Sequence, residues 1–215
     1  MIPDQIFLAG SSSGGHTAVF AALAGPEDCT ETGFSVPEAD KTIPEADKPV
    51  SAADKPAFKE KQQNCCIFPD RNLFPGISAG VIGVLDYYGC VSLAMKDGFP
   101  SMTDRGQPGS MDTLFLSQLK EGEREGLEER TTAVTYITPE LELPPFFIIH
   151  GTKDRMVNTR QSAELYERLL ACGKEAEFYL LGGADHGGPE YWMKEVVDLA
   201  DRFCSGILAR SGQTE

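Results

Sequence analysis

The chain has 215 residues, enough for one domain with a substantial buried core. Its 33 acidic residues outnumber 19 basic ones and leave a formal charge of −14, which argues against a nucleic-acid or anionic-membrane partner. No apolar run reaches membrane-spanning length, and the opening residues lack the basic and apolar regions of a signal peptide, so the sequence as written reads as cytoplasmic.

Ile6-Phe7-Leu8-Ala9 predicts a buried strand over residues 5–9. A turn rich in small residues follows at 10–15. Residues 16–24 then read as a helix, closed by Gly25-Pro26. Residues 26–75 differ in kind. Pro37-Glu38-Ala39-Asp40-Lys41 recurs as Pro44-Glu45-Ala46-Asp47-Lys48, and again, degraded, as Ser51-Ala52-Ala53-Asp54-Lys55. A proline falls in or beside each unit and the apolar residues lack heptad spacing, so this is no coiled coil. Residues 30–62 read as a polar, mobile insertion, with an ordered lobe capping a site as the competing reading.

Core-like sequence returns at 81–88, a nearly continuous apolar run suited to a strand covered on both faces. A short helix is predicted at 111–119. The charged run 121–130 reads as a solvated face. Pro144-Pro145 leads into a buried strand at 146–149. An amphipathic helix is predicted over 160–172, with Ala163, Leu165, Tyr166, Leu169 and Leu170 apolar and Gly173 closing it. Residues 177–181 read as a strand. A last helix over 191–208 would turn Trp192, Val196, Leu199, Phe203 and Ile207 inward. Buried strands alternating with helices predict an α/β fold, a three-layer α/β/α sandwich on a mostly parallel sheet, with 1–215 as one domain.

The six cysteines form no CxxC pair. Cys90, Cys172 and Cys204 lie in or near apolar segments and read as buried thiols, whereas Cys65-Cys66 stays ambiguous. The three histidines, His16, His150 and His186, have no metal-ligand spacing, so no metal and no cofactor are expected.

Gly10-Ser11-Ser12-Ser13-Gly14 matches G-x-S-x-G between a predicted strand and a predicted helix. That setting lifts the central serine, Ser12, above the sheet on a strained turn beside a helix N-terminus. A plain turn or phosphate loop is the competing reading, but no Gly-Lys-Ser or G-x-G-x-x-G pattern accompanies it. Asp154 lies just beyond the carboxyl end of a buried strand, where a carboxylate can fix an imidazole tautomer. His186 sits in the glycine-rich loop after the last strand and is the candidate general base. Asp185 is the adjacent rival carboxylate, expected to point another way. His16 and His150 read as structural or supporting residues. The chain order Ser12, Asp154, His186 is the α/β-hydrolase order.

With these residues, the chain resembles the α/β-hydrolase superfamily. More narrowly it is similar to small bacterial carbohydrate esterases of the acetylxylan/feruloyl esterase-like group, related to hormone-sensitive-lipase-like esterases. The stretches from Ile6 to His16, Leu85 to Gly89, Leu143 to Asp154, and Phe178 to Gly188 carry the resemblance. It implies a Ser12–His186–Asp154 triad, the Ser13 backbone N–H as an oxyanion donor, and hydrolysis of short-chain acyl or carbohydrate esters. Such hydrolases carry several strands and a His-Gly-Gly-Gly-like oxyanion loop ahead of the nucleophile strand. This sequence starts at that strand, so it is expected to be an N-terminally incomplete fold, the C-terminal part of a longer hydrolase. The exposed strand edge would then be covered by an upstream segment or by a homo-oligomer. A signal peptide on such a segment would change the expected location. The alternatives are a serine peptidase of the same fold and an inactive or partner-dependent fragment.

Overall fold

The computed structural model describes residues 5–23, 80–92 and 131–211. They fall in one unit, formed by Met1–Leu23 with Ser78–Glu215. The expected insertion at 30–62, the helix at 111–119, the charged run at 121–130 and the Cys65-Cys66 pair lie outside the described residues.

Four parallel strands form the sheet among these residues: β1 (Ile6–Ser11), β2 (Val81–Tyr87), β3 (Phe146–Gly151) and β4 (Ala176–Leu181), in the order β1-β2-β3-β4. Three α-helices accompany them: α1 (Ser13–Leu23), α2 (Arg160–Ala171) and α3 (Lys194–Ser211). The expected three-layer parallel sandwich is what forms. Every residue of β3 is buried, as a central parallel strand flanked by helices requires. β1 lies at one end of the sheet and carries exposed Ala9 and Ser11.

The period-two alternation of β3 divides the core. Phe147 and Ile149 join Val196, Phe203 and Ile207 of α3 in one cluster, with Leu85 of β2 and the fully buried Tyr191. On the other side, α1 packs against β1 and β2 and α2 against β3 and β4. Both helices meet a 3-10 turn at Ala133–Tyr136. The buried stripe of α2 is Ser162, Leu165 and Leu169, one face at helical spacing.

Three details depart from the sequence reading. The turn predicted at 10–15 collapses to one residue: β1 runs on through Ser11, and α1 already starts at Ser13. The last helix starts at Lys194, because Pro189–Trp192 forms a 3-10 turn first. That break turns Tyr191 inward and leaves Trp192 62% exposed, stacked on Tyr87 with a ring-centroid distance of 5.6 Å. Leu170 also points outward, one residue past the buried Leu169. Cys90 and Cys172 are buried as expected, and Cys204 is only partly buried.

Phe147 is the most informative core position. It is fully buried and touches the rings of Tyr87, Tyr179 and Phe203. Phe147→Ala removes that hub and leaves a cavity. It is expected to lower the unfolding free energy by about 3–5 kcal/mol, read from denaturant midpoints. A loss below about 1 kcal/mol would show that this cluster does not hold α3 on the sheet.

Candidate active site

The site is assembled at the carboxyl ends of β1, β3 and β4, the edge where parallel α/β sheets place reactive groups. Ser12 occupies the whole turn between β1 and α1. Its φ is +54°, a strained left-handed backbone for a non-glycine residue. The turn is pinned from both sides. The Ser12 N–H donates to Tyr87 O at 2.9 Å, and the Gly15 N–H donates to Ser12 O at 3.0 Å.

The motif's glycines do unequal work. A Cβ on Gly10 would lie 2.0 Å from the Gly14 carbonyl oxygen, so the first glycine is required by space. At Gly14 a built Cβ meets no described atom within 4 Å beyond its own helix backbone and chain neighbours. The crowded partner is Gly15, whose Cβ would meet Asp86 Oδ1 at 2.2 Å.

Asp154 lies in the turn after β3. Its side chain is fully buried and all of its acceptor capacity is used. Oδ1 accepts the backbone N–H groups of Met156 and Val157, each at 2.8 Å. Oδ2 accepts His186 Nδ1–H at 2.7 Å and faces His150 Nε2 at 3.1 Å. Burial pushes this carboxyl upward. The hydrogen bonds from His150, His186, Val157 and Met156 together outweigh burial and hold it far below the usual carboxylate range. It is therefore ionised at neutral pH.

His186 reaches across from the loop after β4, its side chain 10% exposed. Because Asp154 can only accept, Nδ1 carries the proton, and Nε2 is left to accept the Ser12 hydroxyl at 2.9 Å. The structure thus brings Ser12, His186 and Asp154 into one hydrogen-bonded chain. Asp185 does point elsewhere. It accepts the N–H groups of Arg155 and His186 and pairs with the Arg155 guanidinium, whose hydrogen bond holds it down at about 2. That pair ties the Asp154 turn to the His186 loop. Lys153 N–H to Ala184 O and Gly183 N–H to Thr152 Oγ1 add two further ties, at 3.0 and 2.9 Å.

Of the other histidines, His16 Nδ1 lies 2.8 Å from Cys90 O, and its ring packs on Phe20. His150 is fully buried, between Ser162 Oγ (2.7 Å) and Asp154. Ser13 opens α1, so its amide belongs to the helix's unshared N-terminal donors.

Three residues around the site escape a reading by motif. Tyr88, at φ +44°, sets its ring against His186 with centroids 4.8 Å apart. Tyr191 packs beneath it at 4.3 Å. Asp86 is fully buried inside β2, where Oδ1 accepts the Gly89 N–H at 3.0 Å. Its Oδ2 has no hydrogen-bond partner among the described residues. A lone carboxylate inside an apolar strand was the available signal for Asp86. Nothing in the local sequence marks the strain at Tyr88. Among the described residues no three His, Cys, Asp or Glu are grouped to hold a metal ion. No described helix is long and apolar enough to cross a membrane.

A family model described as BD-FAE matches residues 1–169. The chain belongs to the BD-FAE family. The matched span of this BD-FAE chain includes Ser12 and Asp154, and His186 lies beyond it. The chain is similar in structure to a truncated carbohydrate esterase from gut microbiota, with a TM-score of 0.62 and 18% identity over 96% of this chain and 61% of that one. A sugar hydrolase from Lactococcus lactis aligns with a TM-score of 0.56 and 16% identity, over 100% of this chain and 62% of the other. A thermophilic esterase from Thermogutta terrifontis aligns at 0.52 with 22% identity, over 94% and 56%. These likenesses establish the α/β-hydrolase type of fold. The chain spans about three fifths of the length of these structures. A 68-residue stretch is 31% identical to acyl-protein thioesterase 1 homolog 2 of Dictyostelium discoideum, covering 31% of each chain.

Asp86 yields a stability test. Burial pushes its carboxyl up to about 7, against the pull of His150 and of the Gly89 amide. The unfolded chain releases this proton from 3.8 upward while the folded chain still holds it, so stability falls as pH rises towards 7. Asp86→Asn removes that dependence. Relative to the parent, the variant is expected to gain stability between pH 4.5 and 7.5, by an amount on the order of 4 kcal/mol at most. Urea midpoints across that range measure it, and a pH-independent difference would mean that Asp86 does not bury a proton.

Proposed function

We propose that this chain is a serine hydrolase that cleaves carboxylic esters, with Ser12 as nucleophile, His186 as general base and acid, and Asp154 as the carboxylate that orients the imidazole. The observation that carries the reading is the unbroken hydrogen-bonded chain from Ser12 Oγ through His186 to Asp154, with Ser12 on a strained turn at a helix N-terminus.

The steps follow from that geometry. Ser12 Oγ attacks the ester carbonyl carbon as its proton passes to His186 Nε2. Asp154 stabilises the imidazolium that forms. The negative charge on the carbonyl oxygen develops next to the start of α1, where the Ser13 N–H is assigned as one oxyanion donor. The tetrahedral intermediate expels the alcohol, which takes the proton from Nε2, and an acyl-Ser12 ester remains. Water, deprotonated by His186, then releases the acid and restores the Ser12 hydroxyl. Hydrolases of this kind draw a second oxyanion donor from a His-Gly-Gly-Gly-like loop ahead of the nucleophile strand. Losing one such donor costs roughly 100-fold or more in rate.

Short-chain acyl or carbohydrate esters are the proposed substrates. The BD-FAE match and the structural likeness to a carbohydrate esterase support that class. The local likeness to an acyl-protein thioesterase supports acyl transfer more generally.

Ser12→Ala and His186→Ala should each lower p-nitrophenyl acetate turnover by at least about 10³-fold. A serine-directed phosphonate should label Ser12, located by peptide mass mapping. Unchanged turnover in Ser12→Ala, or labelling at another serine, would overturn the assignment.

A further inference from the structure

Asp154 is shared by two Ser–His pairs. One is Ser12–His186, which is partly exposed. The other is Ser162–His150, both residues fully buried, so no substrate reaches it. The second pair is built with the care of the first. His150 Nε2 faces two acceptors, Val157 O at 3.0 Å and Asp154 Oδ2 at 3.1 Å, so in the neutral ring the proton sits on Nε2. Nδ1 is then an acceptor, and the Ser162 hydroxyl donates to it at 2.7 Å. Ser162 reaches the ring because it lies on the buried stripe of α2 with Leu165 and Leu169. With both rings neutral, the two imidazoles carry opposite tautomers, and they meet at one carboxylate oxygen.

We propose that His150, held in its tautomer by Ser162, is a positioning residue for the Ser12 site: it fixes the orientation of the Asp154 carboxylate and takes part of its hydrogen-bonding capacity. The inference rests on the reading of Ser12, His186 and Asp154 given above. Without the His150 N–H, Oδ2 would have His186 as its only side-chain donor among the described residues. The carboxylate would then attract the His186 imidazolium more strongly and would also be free to tilt. Both changes act on the Ser12 reaction with no loss of a substrate contact. The other titratable or charged groups near this cluster are Asp86 from β2, Tyr88, Tyr191 from the loop before α3, and the Arg155–Asp185 pair, whose charges offset each other.

The test compares His150→Phe, His150→Gln and Ser162→Ala with the parent chain. Ester kinetics are followed against pH, and the ring-nitrogen shifts of the ¹⁵N-histidine-labelled parent are recorded. His150→Phe should lower kcat by about tenfold or more with KM nearly unchanged. It should also move the acid limb of the kcat/KM profile to higher pH. His150→Gln keeps an N–H near Oδ2 and should restore most of both. Ser162→Ala should shift both readouts in the direction of His150→Phe, by less, and it serves alone if the His150 variants do not fold. The nitrogen shifts should show one buried histidine protonated on Nε2 and another on Nδ1.

A parental pH profile with kcat within twofold in every folded variant would overturn the proposal. So would a His150→Gln variant as impaired as His150→Phe, or a His150 ring protonated on Nδ1 alone. If the parent shows neither ester turnover nor Ser12 labelling, the reading of Ser12 is what fails. The nitrogen shifts then still report on His150 independently.

Discussion

Everything at this site depends on keeping one buried negative charge. A carboxylate removed from water is costly unless its lone pairs are met, and Asp154 meets the cost with two backbone amides and two imidazoles. Its position follows from the sheet. The all-buried strand β3 ends at Gly151, and the turn that follows aims its amides back at the carboxyl group. A rigid acceptor there selects the tautomer of His186, and that tautomer leaves Nε2 free to accept the Ser12 hydroxyl hydrogen bond. The loop contacts from Arg155 to Asp185, from Lys153 to Ala184 and from Gly183 to Thr152 keep the two turns in register.

The serine side of the site is held by close packing of backbone. Gly10 and Gly15 let β1, α1 and the end of β2 approach more closely than side chains allow. Asp86 fills the resulting notch beside Gly15 and caps the Gly89 amide. The strain at Ser12 and Tyr88 is thus localised where two strand ends and a helix start converge, and Tyr88 transmits that packing to the His186 ring. Two independent supports, hydrogen bonding at Asp154 and packing at Ser12, meet at one imidazole.

Much of this was legible in sequence because it is encoded in local chemistry. The strands at β1, β2 and β3 are apolar runs, and the G-x-S-x-G motif, Asp154 and His186 each follow a strand in hydrolase order. What escaped reading depends on tertiary contact. Gly14 fits the pattern yet is not crowded, whereas Gly15 is, because Asp86 arrives from a strand far along the chain. Trp192 sits at helical spacing with Val196 and Phe203, but Pro189 starts a 3-10 turn that rotates it outward and buries Tyr191 instead. The bond between Ser162 and His150 joins a helix stripe to a strand end, and neither segment alone announces it.

The most direct measurement compares how fast a serine-directed phosphonate labels Asp154→Asn, Asp185→Asn and the parent chain. The amide at position 154 keeps the size of the carboxyl group but cannot stabilise the imidazolium or enforce the tautomer. Labelling of Ser12 should slow by about 10³-fold or more in Asp154→Asn, and by far less in Asp185→Asn. Equal rates for Asp154→Asn and the parent, or equal losses in the two variants, would contradict a site organised around the Asp154 charge.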